Sequence, residues 1–183
     1  GFETMFFKFQ KMVGMLVIPI GVGIFLFKDL ITQILLGDQW LEASSFIGLW
    51  GLTSAITIVL AHYASEVYRS IGRPKLSVLA QWLHIIALWP VILFFVHKGY
   101  DTLCLARALV RLELVVVQLI ILGVVVKMNI LKMFTNILPS IIASCSMLLI
   151  LLLPQQDSIV MQFVFILFCF CLFCAVFLFF FKD

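Results

Sequence analysis

The stretch Leu76–His97, LSVLAQWLHIIALWPVILFFVH, contains 22 residues and not one Asp, Glu, Lys or Arg. A helix of roughly 20 apolar residues is long enough to cross the ~30 Å hydrocarbon core of a bilayer. This stretch therefore predicts a membrane-spanning helix. The chain holds five more runs without a charged residue, at Met12–Phe27, Ala43–Ser65, Leu114–Val126, Met133–Gln156 and Ser158–Phe181.

These runs predict an all-α fold: a polytopic membrane helix bundle with six transmembrane helices in a single transmembrane domain. The first run is short and is expected to extend back through Phe6. The fourth run reaches the required length only if it begins near Leu103. That start takes three charged residues into the membrane, namely Arg107, Arg111 and Glu113. The predicted spans are about 6–27, 43–65, 76–97, 103–126, 133–153 and 158–181.

The composition also indicates a membrane protein. Hydrophobic residues make up 64% of the chain and charged residues 11%, whereas about 25% of a soluble domain is charged. The apolar runs are continuous and lack the apolar–polar alternation of barrel strands, so helices are predicted rather than a β-barrel. Too little polar surface remains for a water-soluble protein of this length.

The basic residues divide unequally between the two sets of connections. Eight of them flank the spans on one side, and only Lys28 and Lys98 lie on the other. Cytoplasmic loops carry an excess of Lys and Arg, so both termini are predicted to be cytoplasmic. The net charge of +3 follows from this distribution and does not indicate nucleic-acid binding. The eight residues are Lys8, Lys11, Arg69, Arg73, Lys75, Lys127, Lys132 and Lys182.

The chain begins with Gly1 rather than Met, and no signal sequence with a basic region and a cleavage site follows it. We therefore expect it to be the C-terminal portion of a longer transporter. The longest connection, Lys28–Glu42, is expected to be a loop. Gly37 and Asp38 suit a turn in this loop, and Trp40 suits the membrane interface.

Spans two, three and four each carry a stripe of polar residues along one helix face. At about 100° per residue, the residues of each stripe fall within a narrow arc. Polar groups in a membrane helix normally face protein or a water-filled cavity, so three stripes on consecutive helices predict one shared cavity. The stripes are His62, Glu66 and Arg69; Ser77, Gln81 and His84; and Arg107, Arg111 and Gln118, with Glu113 on the opposite side of the fourth span.

Each stripe also has a purely structural interpretation. The first could be a surface pairing at a helix end, and the second could supply hydrogen bonds between helices. Arg107 and Arg111 could extend along the helix to the outer membrane surface. Glu113 must either pair with another helix or stay protonated.

The five cysteines do not predict a metal site or a cofactor. Cys104, Cys145, Cys169, Cys171 and Cys174 lie in apolar spans. A metal or iron–sulfur centre needs polar groups around its ligands, and Val, Leu and Phe cannot supply them. Packing or lipid-facing roles are expected instead.

Two segments resemble those of bacterial polysaccharide-export flippases. The segment Leu35–Ala43, LLGDQWLEA, is similar to an LLG-x-x-W-x-x-A segment of that family. The segment Tyr68–Ser77, YRSIGRPKLS, resembles its cytoplasmic GRPKLS turn, and Gln81–Ile85, QWLHI, fits as well. These proteins are the O-antigen and exopolysaccharide repeat-unit flippases of the multidrug/oligosaccharidyl-lipid/polysaccharide superfamily. The resemblance extends over about residues 5–130, and the last two spans match only in hydropathy.

The resemblance implies two lobes of helices around a central cavity, of which this chain would supply part of the C-terminal lobe and the final helices. The partners implied are an undecaprenyl-diphosphate-linked glycan, the lipid bilayer of the bacterial inner membrane and the missing N-terminal lobe of the same protein. No covalent chemistry and no cofactor would be needed.

Within that implied function, the polar residues have two predicted roles. Arginines can neutralise a diphosphate, and Gln and His can bind sugar hydroxyls. The predicted substrate-binding residues are Arg107, Arg111, Gln118, Gln81 and His84, and those predicted for coupling or gating are Glu66, Arg69, His62 and Glu113.

Three other functions remain open at this point. A multidrug or metabolite exporter of the same superfamily would share the architecture. A non-catalytic membrane subunit would explain a missing lobe, but explains three aligned polar stripes less easily. A membrane-embedded transferase would need acidic pairs or an Asp-x-Asp metal site near one membrane surface, and the sequence has neither.

Overall fold

The computed structural model describes residues 2–148 and 159–180, and these residues form helices and short connections. The all-α prediction is confirmed for them. The last residues of the predicted span 133–153, the loop around Asp157 and Lys182 lie outside the described residues. The α-helices are α1 (Phe2–Leu26), α2 (Lys28–Leu36), α3 (Ser44–Thr57), α4 (Tyr63–Ser70), α5 (Lys75–Phe95), α6 (Tyr100–Val124), α7 (Ile130–Met147) and α8 (Ile159–Phe180).

Five segments of the described chain are long and apolar enough to cross a membrane. They are Glu3–Leu26, Asp38–Ser70, Lys75–Lys98, Ile130–Met147 and Met161–Phe179. The helix α6 is not among them, although it has 25 residues. Its charged residues, among them Arg107, Arg111 and Glu113, make it too polar by composition. The chain is therefore a multi-pass helical membrane protein, and the fourth of the six predicted spans, 103–126, stays a prediction.

The structure differs from the expected loop over Lys28–Glu42. Residues Lys28–Leu36 form α2, and a 3-10 helix follows at Asp38–Ala43. One face of the segment packs against the rest of the protein: Leu30 and Thr32 are buried, while Leu35 and Leu36 are exposed. A helix of nine residues is marginal on its own, so the packing of this face explains why α2 forms.

The bundle is a row of helices in which each helix packs against the next. α5 packs on α6, α6 on α3, α3 on α1, α1 on α7 and α7 on α8. One apolar cluster joins Phe7 of α1, Tyr68 of α4, Ala80 of α5 and Met133 of α7. These residues lie near the helix ends that carry most of the basic residues, so the fold brings those ends together.

The close crossing of α1 and α3 depends on small residues. A Cβ atom added at Gly51 would lie 2.6 Å from Cγ2 of Ile24, and one added at Gly21 would overlap the Cβ of Ala55. Small residues let membrane helices approach closely without a hydrophobic driving force. Trp50 and Ser54 are the chain neighbours of Gly51 and Ala55, so the crossing also determines the position of these two side chains in the bundle.

A π-helical segment, Ile58–His62, joins α3 to α4. The fully buried amide of Gln10 donates from Nε2 to the carbonyl oxygen of Val59 at 3.3 Å. Asn136 of α7 donates from Nδ2 to the carbonyl oxygen of Phe7 at 2.7 Å and to Oε1 of Gln10 at 3.3 Å. These bonds tie α1 and α7 to the π segment.

Candidate functional site

Two arginines of α6 face two residues of α3. Nη1 of Arg111 donates to Oγ of Ser54 at 2.6 Å, and the Arg111 guanidinium lies 4.3 Å from the centre of the Trp50 ring. The guanidinium of Arg107 lies 5.8 Å from the same ring. Arg107 and Arg111 are four residues apart on α6, as Trp50 and Ser54 are on α3, so each pair occupies one helix face. We call these four residues the arginine site.

The arginine site carries positive charge without a carboxylate beside it. Both arginines are half-buried, and among the described residues neither forms a salt bridge. A guanidinium has five N–H donors, of which Ser54 accepts one from Arg111. The other contacts are with an aromatic face, which attracts cations but accepts no conventional hydrogen bond. Most of the donors of this pair therefore remain available to an anion.

The arginine site adjoins a groove between α1 and α3. Trp50 and Ser54 line this groove together with Phe46, Ile20 and Gly21, and its volume is about 370 Å³. Its walls are otherwise apolar. Trp50 therefore belongs to both the arginine site and the groove. A ligand whose anionic group binds the arginines could place its remaining part in this groove.

Gln118 does not belong to the arginine site. It is 2% exposed, and its Oε1 accepts a hydrogen bond of 2.8 Å from the hydroxyl of Tyr68, which is fully buried. The same hydroxyl lies 3.3 Å from the Gln118 carbonyl oxygen. These contacts indicate that Gln118 joins α6 to α4; a contact with substrate stays a prediction.

Tyr68→Phe is expected to lower the free energy of unfolding by about 1–3 kcal/mol, because the buried Gln118 side-chain oxygen would lose its donor. Thermal unfolding of the purified protein in detergent measures this loss. Tyr63→Phe is the matched control, since no hydrogen bond of its hydroxyl is present among the described residues. An equal effect of the two substitutions would contradict this account of the Tyr68 bond.

His84 and Glu113 form a pair on the opposite side of α6. Nδ1 of His84 lies 3.0 Å from Oε2 of Glu113, and the two side chains are 15% and 31% exposed. Glu113 is two residues from Arg111, which places the two side chains about 200° apart around α6. Arg111 faces α3, whereas Glu113 faces α5.

The remaining predicted residues lie apart from both groups. Glu66 and Arg69 form an ion pair of 3.3 Å with both side chains about two-thirds exposed (66% and 67%), and such i,i+3 pairs contribute only about 0.2–0.5 kcal/mol. His62 and Gln81 are exposed. Ser77, the other polar residue of that stripe, lies 2.8 Å from Ser65 of α4, hydroxyl to hydroxyl.

The structure thus divides the predicted residues among several contacts. It brings Arg107 and Arg111 together on the side of α6 that faces α3, and it pairs His84 of α5 with Glu113 of α6. The sequence analysis missed Trp50 and Ser54, the partners of the arginines. Their i,i+4 spacing in an otherwise apolar span was the available signal, but a Trp and a Ser are common in membrane helices.

No described group of three or more His, Cys, Asp or Glu side chains is placed to hold a metal ion. The five cysteines are free thiols; Cys104 and Cys169 are buried, and Cys145 and Cys171 are exposed. The two arginines of the arginine site are positively charged, so this site suits an anionic ligand better than a cation.

Comparison with known proteins gives a match over the first part of the chain. The sequence model of a family described as "Polysaccharide biosynthesis protein" matches residues 1–45, which cover α1, α2 and the start of α3. No curated protein and no solved structure matches the chain significantly. The match and the apolar helices are consistent with a multi-pass membrane protein of polysaccharide biosynthesis.

Proposed function

We propose that the chain is part of a flippase that moves lipid-linked oligosaccharide or polysaccharide repeat units across the bacterial inner membrane. The observation that carries this proposal is the arginine site: two arginines on a helix of a membrane bundle, neither of which forms a salt bridge with a carboxylate of the described residues. The similarity of residues 1–45 to a polysaccharide biosynthesis family supports the class of substrate.

The chemistry of a polyprenyl-diphosphate-linked glycan fits the arginine site. The charged diphosphate is the part of this molecule that costs most free energy to place in apolar surroundings. Two arginines can compensate its charge with hydrogen bonds in a planar fork. The groove that Trp50 lines beside the arginines offers space to the first sugar. The lipid tail remains in the bilayer. Translocation on these terms breaks no covalent bond, so the proposed protein is a transporter and not an enzyme.

Arg107 and Arg111 are only half-buried, so a further part of the protein can cover the arginine site. The rings of Phe46 and Trp50 are in contact, with centres 5.3 Å apart and planes tilted by 32°, and the groove beside them is open on one side. We propose that a further lobe of the same protein closes this side to form the central cavity. This lobe corresponds to the N-terminal half implied by the sequence resemblance.

The charge distribution supports an orientation with both termini in the cytoplasm. The fold gathers the ends near Phe7, Tyr68 and Met133, and Lys132 lies 4.7 Å from the Phe7 ring. Basic loops favour the cytoplasmic side. α6 would then cross the membrane as the fourth of six spans. In a variant whose native cysteines are replaced, since Cys145 and Cys171 are exposed, a cysteine in place of the exposed Ser70 should react with maleimide only from the cytoplasmic side. Labelling of this position from outside would contradict the orientation.

Disruption of the gene tests the proposed function. We expect loss of surface polysaccharide together with accumulation of complete lipid-linked repeat units in the inner membrane, because synthesis continues while translocation stops. A plasmid copy of the whole gene should reverse both changes. Normal surface polysaccharide with increased sensitivity to toxic compounds would instead indicate a drug exporter, and absence of completed repeat units would indicate a role in their synthesis.

A further inference from the structure

A second groove, of about 520 Å³, lies between the first turns of α1 and the helix α4. It shares no residue with the arginine site or with the groove beside that site. The surface that faces it is almost wholly apolar, and each of its two walls also carries one charged residue. The residues that matter here are Met5, Lys8, Phe9 and Met12 of α1 and Tyr63 and Glu66 of α4.

The α1 wall is an apolar stripe that no described part of the chain covers. Met5, Phe9 and Met12 are spaced at i, i+4 and i+7, so they share one face of the helix, and each is more than half exposed. The Phe9 ring packs edge-on against the ring of Tyr63, with centres 5.3 Å apart. Methionine adapts to irregular apolar partners, so two methionines beside this ring pair suit a hydrocarbon chain.

The two charged residues lie within two turns of a helix end. At 1.5 Å per residue, Lys8 is roughly 9 Å from the start of α1 and Glu66 roughly 6 Å from the end of α4. Met12 is about 6 Å further along α1 than Lys8. Tyr63 is an aromatic residue of the kind enriched at membrane interfaces. The groove therefore places its charges at the level of the lipid head groups and extends its apolar wall toward the hydrocarbon core.

Lys8 and Glu66 give the groove one charge of each sign. Within the described part of the chain Lys8 forms no salt bridge, so its ammonium group can bind an anion. Oε1 of Glu66 accepts a hydrogen bond of 3.3 Å from Nη1 of Arg69, and Oε2 accepts none from the described residues. A carboxylate has room for several donors. The complementary ligand carries a phosphate and an ammonium group close together, above an apolar chain.

We propose that this groove binds an aminophospholipid, of which phosphatidylethanolamine is the example. Its phosphate binds Lys8, its ammonium group binds Glu66, and one acyl chain lies along Met5, Phe9 and Met12. A lipid with an anionic head group satisfies Lys8 but offers no cation to Glu66. The bound lipid joins α1 to α4 at the membrane surface, which is the cytoplasmic leaflet in the proposed orientation. The lipid site does not rest on the proposed function, since it requires no transport.

Native mass spectrometry of the purified, delipidated protein tests the lipid site. The probes are equal amounts of dioleoyl-phosphatidylethanolamine and dioleoyl-phosphatidylglycerol, which have the same acyl chains and differ in the head group. The wild-type protein should retain the ethanolamine lipid preferentially. Glu66→Gln should abolish this preference, because the ammonium group loses its charged partner. Lys8→Ala should lower retention of both lipids by about two- to fivefold, the effect expected for loss of a partly exposed ion pair, since both carry the phosphate.

Two controls separate the proposed contacts from a general change of charge. Arg69→Ala removes the ion-pair partner of Glu66 and should keep the preference or increase it. Lys75→Ala removes an exposed cation that does not line the groove, so retention should not change.

Three results would overturn the lipid site. They are equal retention of the two lipids by the wild-type protein, a preference that Glu66→Gln leaves intact, and retention unaffected by Lys8→Ala. The same spectra report whether the protein is a dimer. A dimer that retains no lipid and that Phe9→Ala dissociates would assign the groove to a second copy of the chain and would also overturn the proposal.

Discussion

Alanine at both Arg107 and Arg111 is expected to abolish glycan export by the full-length protein while the amount of protein in the membrane stays unchanged. A hydrogen bond to a charged group contributes about 1.5–3 kcal/mol, so loss of two such donors should reduce binding of the diphosphate by a factor of roughly 100 or more. Neither arginine forms an ion pair within the described chain, which is why folding should tolerate the change. Surface polysaccharide, measured by immunoblotting, gives the readout.

Two controls distinguish a diphosphate site from an arginine that only anchors the helix. Arg→Lys at both positions keeps the charge but loses the planar fork, so export should fall substantially even with lysine present. Lys98→Ala removes another cation that lies over an aromatic ring, 4.0 Å from the Phe94 centre, at the end of α5. Export should be normal in that variant. Normal export with both alanines would remove the arginines from the mechanism.

Gly51→Leu is expected to give the largest loss of stability of any single substitution proposed for this chain. The new side chain would collide with Ile24, since even a Cβ atom lies 2.6 Å from its Cγ2. Overpacking of a close interface costs about 1–3 kcal/mol and sometimes more. The adjacent Trp50 would be displaced with α3, so export should fall as well. Thermal unfolding in detergent and surface polysaccharide measure the two effects.

Gly23→Leu is the matched control for the α1–α3 crossing. A Cβ atom at Gly23 would meet nothing closer than Cε of Met147 at 3.9 Å, and the residue lines an apolar groove of about 650 Å³ between α1 and α8. A leucine can extend into that space. Equal destabilisation by the two substitutions would show that the α1–α3 approach does not depend on Gly51.

The sequence predicts the helical class well because membrane helices satisfy their own backbone hydrogen bonds within one segment. A charge-free run such as Leu76–His97 therefore needs no knowledge of its neighbours to be recognised. The short helix α2 was missed for the opposite reason. Nine residues do not form a stable helix alone, and the burial of Leu30 and Thr32 that stabilises it depends on the rest of the fold.

The candidate site could be predicted only in part. The spacing of Arg107 and Arg111 places both on one face of a single helix, which is local information. The identity of the helix that this face meets depends on the order α5–α6–α3–α1, and no local pattern encodes that order. Trp50 and Ser54 were missed for this reason. Glu113 was predicted to pair with another helix or to stay protonated, but its partner His84 required the register of α5 against α6.

Binding of the anionic lipid head group to the arginine site is the central claim, and native mass spectrometry of the purified protein tests it most directly. Undecaprenyl diphosphate is the probe, and undecaprenol, which has the same tail without the diphosphate, is the matched control. The wild-type protein should retain the diphosphate lipid preferentially, and Arg107→Ala with Arg111→Ala should eliminate the preference while retention of undecaprenol stays the same. Equal retention of undecaprenyl diphosphate by the wild-type protein and the double variant would contradict the claim.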